Sequence, residues 1–508
     1  MFNVGVRRAR AFQPTDLRRA TAAAVATPLR LLASGVSTSV LLRRSGQAPT
    51  EKPFRRPVGA LLVATLATGC TVSCAMGRQP SVVHAAPTAD DANGCDGGDE
   101  GKGESGVGAK LLQAEADKGP GRGGAHAHAA EPAMMQCALV HRYGMPDEVV
   151  TLGEQRRPCL TPGTKGKLLV RVEACGFTPG DIRTMRGQVR LVRHPPMPYV
   201  PGGDVAGVVV EGDGEGRFQP GDAVVSTWSF EGRGGLAEYA LVDAELTVKR
   251  PASVSAVEAA ALVNSSVHAW HTFRKADVKA TDRVLVLGGS SGVGVALLQM
   301  CRHRAGAAYL ATTCSAPSNA LLERLGPGFV DRVIDYTRAR WWEDPELADG
   351  PKFDLIIDCS VGAEAWQNCR GLLKTGREGG RFLSVCMDHP RDMRVTHPGH
   401  MFSLLCPPLG RVCWTSMRGG STPSYSIGNG EWNHVQMEQV FDMAAEGKLR
   451  PLLANNGRPF PFSQDGVRAA LMAQASWHPR GKVVVQVATD PLANDVPDGT
   501  AGPSSSAV

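Results

Sequence analysis

Several features that would fix a protein's class at once are missing from this chain. None of its thirteen cysteines stands in a Cys-x-x-Cys pair, so the short-spaced lobe of a structural zinc site is excluded. Basic charge is scarce outside one end. Residues 1–56 hold eleven Lys/Arg against Asp16 and Glu51, a local +9, so the formal +6 of the whole leaves −3 for the remainder. That remainder lacks the footprint of a nucleic-acid binder. A convincing apolar run is absent too. Val58–Met76 has the length of a membrane span, but it is rich in Ala, Thr and Gly and has no Tyr or Trp at either end. Membrane attachment through 58–76, a second cleaved targeting element and plain transit sequence all stay open. No internal repeat is evident.

Apolar periodicity is also lacking from Gly77 to about Pro132, a stretch of Gly, Ala, Asp, Glu and Ser. Such a segment cannot bury enough surface to offset its ordering entropy, so 77–132 is expected to be a disordered linker. His126 and His128 within it read as solvated linker residues, not as a metal pair. Before it, Arg7, Arg8, Arg10, Arg18, Arg19, Arg30, Arg43 and Arg44 lie among Ala, Leu, Ser and Thr with almost no acid. That is the composition of an organelle transit region over 1–56, with 57–76 as a separate apolar segment. A mitochondrial destination is expected, with a plastid as the alternative. At the other end, 490–508 reads as a disordered tail.

Ordered sequence begins near Met134. Gln136–Arg142, Lys167–Ala174, Val205–Glu211, Ala223–Trp228 and Leu236–Val242 read as short strands between Gly/Asp/Pro turns, a β-rich, barrel-like domain ending near Ala252. A helix over about Ala256–Lys275 leads to the segment around which the rest is organised, Arg283–Ser315. There Val284–Leu287 is the continuous apolar run of a strand buried on both faces. Gly288, Gly289, Ser290, Ser291, Gly292, Val293 and Gly294 follow, then a helical pattern and a second apolar run from Ala307. The glycines allow a tight turn and close approach of a pyrophosphate to the backbone, with the helix N-terminus aimed at it. The spacing is Gly289-x-x-Gly292-x-Gly294 rather than G-x-G-x-x-G. At the end of the second strand, Thr313-Cys314-Ser315-Ala316 holds no carboxylate before Glu323, which favours NADPH over NADH. Arg324 and Arg338 are candidate basic neighbours. Strand–helix alternation continues through Val333–Tyr336, Phe353–Asp358 and Gly380–Val385, as in a doubly wound parallel sheet. His397–Asn429 reads as an irregular loop, Asn433–Gly447 as a helix, and Lys482–Val487 as a closing strand that rejoins the first domain.

These motifs resemble the zinc-independent medium-chain dehydrogenase/reductases, in their quinone oxidoreductase (zeta-crystallin-like) branch. The likeness is carried by Ala174-Cys175-Gly176-Phe177-Thr178-Pro179-Gly180-Asp181, Pro201-Gly202-Gly203-Asp204-Val205-Ala206-Gly207, Gln219-Pro220-Gly221-Asp222, Gly235-Leu236-Ala237-Glu238-Tyr239, the glycine turn and Phe353–Asp358. Thr313-Cys314-Ser315 and Gly447-Lys448-Leu449-Arg450-Pro451 look most like the mitochondrial reticulon-interacting NADPH oxidoreductases. The resemblance implies an α/β fold: a GroES-like β-barrel domain (133–252 and 430–489) on a Rossmann domain (253–429), with NADPH between them. By position it implies Ser290, Gly292 and Val293 at the pyrophosphate and Ser315 and Tyr336 at the 2′-phosphate. It implies Thr178, His268 and Tyr425 as candidate donors to a substrate carbonyl. Thr178 and His268 depart from the Asn and Thr usual there, and His268 has two readings: a proton donor, or a packed, hydrogen-bonded side chain. Gly203-Asp204 stands where the alcohol-dehydrogenase branch has a zinc-ligating His before an acid, so no metal is expected. In a reducing compartment the cysteines read as buried small residues, not disulfides. The expected activity is hydride transfer from NADPH to a quinone or enone, without nucleic acid and with a homodimer left open. A non-catalytic organellar scaffold that keeps the cofactor fold is the alternative.

Overall fold

The computed structural model describes residues 133–488 apart from 162, 228–233, 339, 377–378, 429 and 431. The expected transit region, apolar segment, linker and C-terminal tail lie outside the described residues. Two strands, β1 (Met134–Val140) and β2 (Val150–Arg156), pair antiparallel at the start. They are followed by β3 (Lys167–Gly176), helix α1 (Pro179–Met185), β4 (Asp204–Glu211), β5 (Ala223–Thr227), β6 (Tyr239–Asp243) and β7 (Thr247–Lys249). β3 is the keel of this half: it pairs antiparallel with both β4 and β6. Its register against β4 shifts at Leu169/Val170 and again at Val172/Ala174. Such irregularities bend a strand, which is how a sheet of this size curls toward a barrel.

Helix α2 (Ala256–Ala276) joins the halves. Ser255 caps it, its Oγ accepting from Glu258 N while its own N–H donates to Glu258 Oε2 at 3.0 Å. Asp277 ends it in the left-handed conformation, φ 49°. Fifteen of its side chains are buried, far more than one apolar stripe requires, because it packs on β3, β4 and β5 and also on the next helix. The nucleotide half then alternates β8 (Arg283–Leu287), α3 (Gly292–Gln299), β9 (Tyr309–Cys314), α4 (Ala316–Glu323), β10 (Arg332–Asp335), β11 (Leu355–Asp358), α5 (Ala363–Cys369), β12 (Arg381–Ser384), α6 (Pro398–Arg418) and β13 (Ser424–Ile427). The six strands are parallel in the order β10-β9-β8-β11-β12-β13. The pleat sends Val284 and Val286 into the layer shared with α2 and α3, and Leu285 and Leu287 into the opposite layer with Trp366 and Phe382. This is the doubly wound sheet expected, with its strand order reversing between β8 and β11.

The chain then returns through α7 (His434–Ala445), β14 (Phe460–Pro461), α8 (Gln464–Ala475) and β15 (Val484–Gln486). β15 pairs antiparallel with the end of β3, and β14 pairs with β15. The closing strand does rejoin the first half.

Two expectations need correction. His397–Asn429 is not an irregular loop: it holds the 21-residue helix α6 and the edge strand β13. Pro407 and Pro408 lie inside α6, where each removes a backbone donor, so the segment carries the marks of a helix breaker while being helical. Among the described residues nine cysteines are free thiols, but Cys159 is disulfide-bonded. No helix among the described residues is long and apolar enough to cross a membrane.

Candidate active site

The glycine turn sits where ligands bind in such sheets, beyond the carboxyl ends of the strands at the reversal of strand order. Gly288 takes φ +78°, and a Cβ there would lie 2.4 Å from Ser360 Oγ, just past β11. The turn is tied down by Gly288 N donating to Thr313 Oγ1 at 3.1 Å and Gly289 N donating to Thr313 O at 3.1 Å. Ser291 caps α3 by accepting from Gly294 N at 3.0 Å while donating to Gly288 O at 2.8 Å. A Cβ on Gly294 would meet Gly288 O at 2.3 Å, and one on Gly289 would meet Thr312 Oγ1 at 2.0 Å. These glycines are therefore fixed by crowding before any ligand is considered.

Val295 N makes the first intrahelical bond, to Ser291 O, so the N–H groups of Gly292 and Val293 precede it. Ser290, Gly292 and Val293 are only half-buried. The expected pyrophosphate residues are thus brought together with backbone donors and a helix dipole. Sequence reasoning missed their cationic neighbour. A Cβ on Gly292 would lie 3.7 Å from Lys482 Cδ, and Lys482 Nζ donates to Asp204 Oδ2 at 2.8 Å and Ser265 Oγ at 3.5 Å. Asp204 also accepts from Thr227 Oγ1, which accepts in turn from Asn264 Nδ2. Burial pushes the Asp204 carboxyl up, opposed first by the Lys482 charge. Gly203-Asp204 is thus occupied by a structural ion pair. Among the described residues no three His, Cys, Asp or Glu side chains converge as a metal-ligand set.

Ser315 and Tyr336 meet at the ends of β9 and β10, where Tyr336 N donates to Cys314 O at 3.2 Å. Tyr336 is 37% exposed, and Ser315 Oγ lies 3.0 Å from Ser318 Oγ, so both hydroxyls are reachable from solvent. The sequence reading overlooked a carboxylate arriving from the neighbouring strand. Asp335 stands in register with Cys314. It accepts from the Thr337 hydroxyl and N–H and from the backbone at Ala316, and pairs with Arg338 at 3.1 Å. The Thr337 hydroxyl, above all, holds its carboxyl below the usual range. Arg338 offsets that charge, whereas Arg324 is turned away with its guanidinium against Gly457.

Thr178 and His268 come from different elements. Thr178 precedes α1, and its N–H and Oγ1 both donate to Asp181 Oδ2, at 2.8 and 2.9 Å. Its hydroxyl proton is committed and its lone pairs are what it offers. His268, on α2, has Nε2 3.1 Å from Gly428 O. A carbonyl accepts only from N–H, which places the proton on Nε2 and leaves Nδ1 as an acceptor in the neutral ring. Burial lowers the His268 pKa, against the Gly428 bond that raises it, so the neutral ring prevails at pH 7. Tyr425, expected beside these two, is instead a core side chain on the opposite sheet face. It is 4% exposed, stacks on Phe382 at 5.5 Å and meets Trp366 edge-on at 5.1 Å. The pleat sends it there, and its hydroxyl answers Arg411 at 3.4 Å.

Both halves of the chain match known families. The alcohol dehydrogenase GroES-like domain matches residues 164–252, and the zinc-binding dehydrogenase model matches residues 330–485. The chain is 30% identical over 326 residues to the 2-methylene-furan-3-one reductase of Solanum lycopersicum, covering 63% of this chain and 71% of that one. It is 29% identical over 326 residues to the NADPH-dependent alkenal/one oxidoreductase, chloroplastic, of Arabidopsis thaliana, covering 63% and 72%. It is 29% identical over 386 residues to the NAD(P)H oxidoreductase RTN4IP1, mitochondrial, of Danio rerio, covering 71% and 94%.

Proposed function

Starting from a chain that belongs to the medium-chain dehydrogenase/reductase family, we propose an NADPH-dependent reductase of a quinone or other conjugated carbonyl that works without zinc. The observation that carries this reading is the half-buried turn at Ser290–Val293 under Lys482, facing a cleft in which Gly203-Asp204 is closed by an ion pair. Relatives named for NADPH, alkenal and NAD(P)H support the cofactor and the oxidoreductase class. Relatives named mitochondrial and chloroplastic support an organelle as the destination, and the arginine-rich start favours the mitochondrion.

Bound NADPH supplies a hydride, and the acceptor takes up one further proton to give the reduced carbonyl compound and NADP⁺. The chain's own residues bind and orient. Gly292 and Val293 N–H groups would meet the pyrophosphate, with the Lys482 stem packed beside the turn and its ammonium held by Asp204. Ser315 and Tyr336 hydroxyls donate to the 2′-phosphate, with Arg338 neutralising Asp335 next to it. His268 stays neutral, anchors the Gly428 backbone and packs at 6.1 Å from the Trp432 ring, so we assign it positioning rather than proton transfer. Thr178, its hydroxyl proton given to Asp181, has no donor left for the acceptor's carbonyl oxygen. The proton then comes from solvent.

The test is turnover of NADPH and NADH by the purified chain against a panel of quinones and enones, with and without a chelator. NADPH oxidation by at least one acceptor, unaffected by the chelator, is expected. NADPH binding with no turnover across the panel would favour the scaffold alternative, and activity lost with a stoichiometric metal would overturn zinc independence.

A further inference from the structure

Two inward-turned guanidiniums of this chain are answered by carboxylates. Arg250 meets Glu173 at 3.1 Å with side chains 3% and 1% exposed, and Arg411 forks onto Asp388 at 2.5 and 2.8 Å. Arg183 is not. It lies in the last turn of α1, five residues after Thr178. Its Nη2 donates to Pro390 O at 2.6 Å, its Cζ lies 4.9 Å from the Trp477 ring centre, and its Nε is buried without a hydrogen-bond partner. Among the described residues no ion pair reaches it. Burial pushes its pKa down to about 10, yet at pH 7 it keeps its charge. A desolvated cation whose neighbours are a carbonyl oxygen, an aromatic ring and the Cys386 thiol is costly to keep.

Its surroundings show where it lies. Pro390 belongs to the segment after β12 that crosses from the nucleotide half to the barrel half. At one end Cys386 Sγ donates to Asp358 Oδ2 at 3.4 Å, at the carboxyl end of β11. At the other, Val395 N donates to Gln188 O at 2.6 Å and Leu191 N to Val395 O at 3.0 Å. Asp358 is in turn bonded to the backbone of Ser360, whose side chain faces Gly288 in the glycine turn. Arg183 therefore lies against the segment that leaves the carboxyl end of β12, the strand-end side of the sheet on which the glycine turn also sits. Trp477, which backs it, holds the left-handed conformation at φ 61°, uncommon for a bulky side chain and costly unless the surroundings enforce it.

We propose that Arg183 is the subsite for a carboxylate on the substrate, so that the preferred acceptor is a conjugated carbonyl compound that is also an acid. This rests on the reductase reading and narrows its substrate class. A planar fork in a low-dielectric cleft binds a carboxylate in two parallel bonds, and an uncharged acceptor leaves that charge unsatisfied.

The experiment compares trans-4-oxo-2-pentenoic acid with its methyl ester, using NADPH and the full chain, for the native protein and for Arg183→Met and Arg183→Lys. The native protein should favour the acid by at least about tenfold in kcat/KM, mainly through KM. Arg183→Met should abolish that preference, and Arg183→Lys should keep part of it. Should the Met variant not fold, the native ratio and the Lys variant decide. Turnover of the ester with no preference for the acid would overturn the carboxylate subsite and leave the reductase reading standing. Equal losses for acid and ester in Arg183→Met would assign the guanidinium to the carbonyl oxygen instead, and a matching loss of NADPH affinity would assign it to the cofactor; either overturns the proposal. No turnover of either compound, with none in the wider panel, overturns both readings.

Discussion

Replacing Lys482 by Met should reveal what the buried pair is worth and where its charge goes. Lys482 and Asp204 meet at 2.8 Å with side chains 6% and 0% exposed, so neither charge has water to fall back on. Removing one partner of such a pair costs about 3–5 kcal/mol, a large part of the roughly 5–15 kcal/mol that holds a domain folded. The carboxylate has one escape, protonation. Burial already raises the Asp204 pKa, and the Lys482 charge is the largest influence opposing it. In Lys482→Met the folded-state pKa climbs well above the unfolded value of about 3.9. A folded pKa raised in this way gives stability that is present below the unfolded pKa and lost as pH rises. The loss is about 1.4 kcal/mol per pH unit until the folded pKa is passed. Urea unfolding of the full chain between pH 5 and 8 should therefore show Lys482→Met falling steeply with pH against the native protein. The double variant Lys482→Met/Asp204→Asn should be flat relative to it and recover most of the lost stability, since an amide oxygen can still accept from Thr227. Parallel pH curves for the single and double variants would refute the reasoning, because Asp204 would then not be the group left stranded.

Three further outcomes are expected. Ser315→Asp should weaken NADPH by at least about tenfold, or about 1.4 kcal/mol, with NADH little changed, because it removes a donor and adds a second carboxylate beside Asp335; titration with both cofactors checks it, and equal losses would mean that Ser315 only supports the loop. Gly289→Ala should cost about 1–3 kcal/mol and reduce NADPH affinity, since the new Cβ would meet Thr312 Oγ1, which cannot swing away while it donates to Val286 O at 2.7 Å; thermal unfolding and titration read both. The kcat profile should show no loss attributable to His268 as pH rises through 6.5, because the ring is already neutral there, and His268→Asn should keep the native profile at reduced kcat; a native fall near pH 6 that the variant abolishes would restore His268 as proton donor.

The fold was legible where one local signal sufficed. The 21 residues of α2 begin at a capping Ser255 with Glu258 three places on, and the apolar runs at Val284–Leu287 and Leu355–Asp358 leave little choice but buried parallel strands. Helix α6 was hidden by Pro407 and Pro408, which read locally as helix breakers although the helix runs through them. At the cofactor end, the glycine turn could be read in sequence order because strand, turn and helix are consecutive. Asp335 could not, because it reaches Ser315 sideways across the sheet, from a residue twenty positions downstream. Arg183 and Lys482 carried no signal of their own. One is an arginine in a short polar helix, the other a lysine opening a strand, and only the cleft makes either unusual. Tyr425 shows the reverse error: its position along the chain suggested the site, and the pleat decided otherwise.

Because β15 must pair with β3, the barrel cannot be finished until nearly the last described residue has been made. On the ribosome, or on emerging from an import channel, β3 exposes an unpaired edge throughout synthesis of the whole nucleotide half. Closing a flexible loop of that length would cost about 5 kcal/mol in chain entropy. The intervening half shortens the search. Once its sheet has formed, α7 lies against α2, where Trp270 Nε1 donates to Gln439 Oε1 at 2.8 Å, and the two chain crossings are held side by side. The enclosed domain thus acts as the splint that delivers the last strand. A chain shortened by premature termination before Lys482 would lose the strand and the cation at the turn together, and would persist as an open-edged, aggregation-prone barrel beside an intact nucleotide sheet.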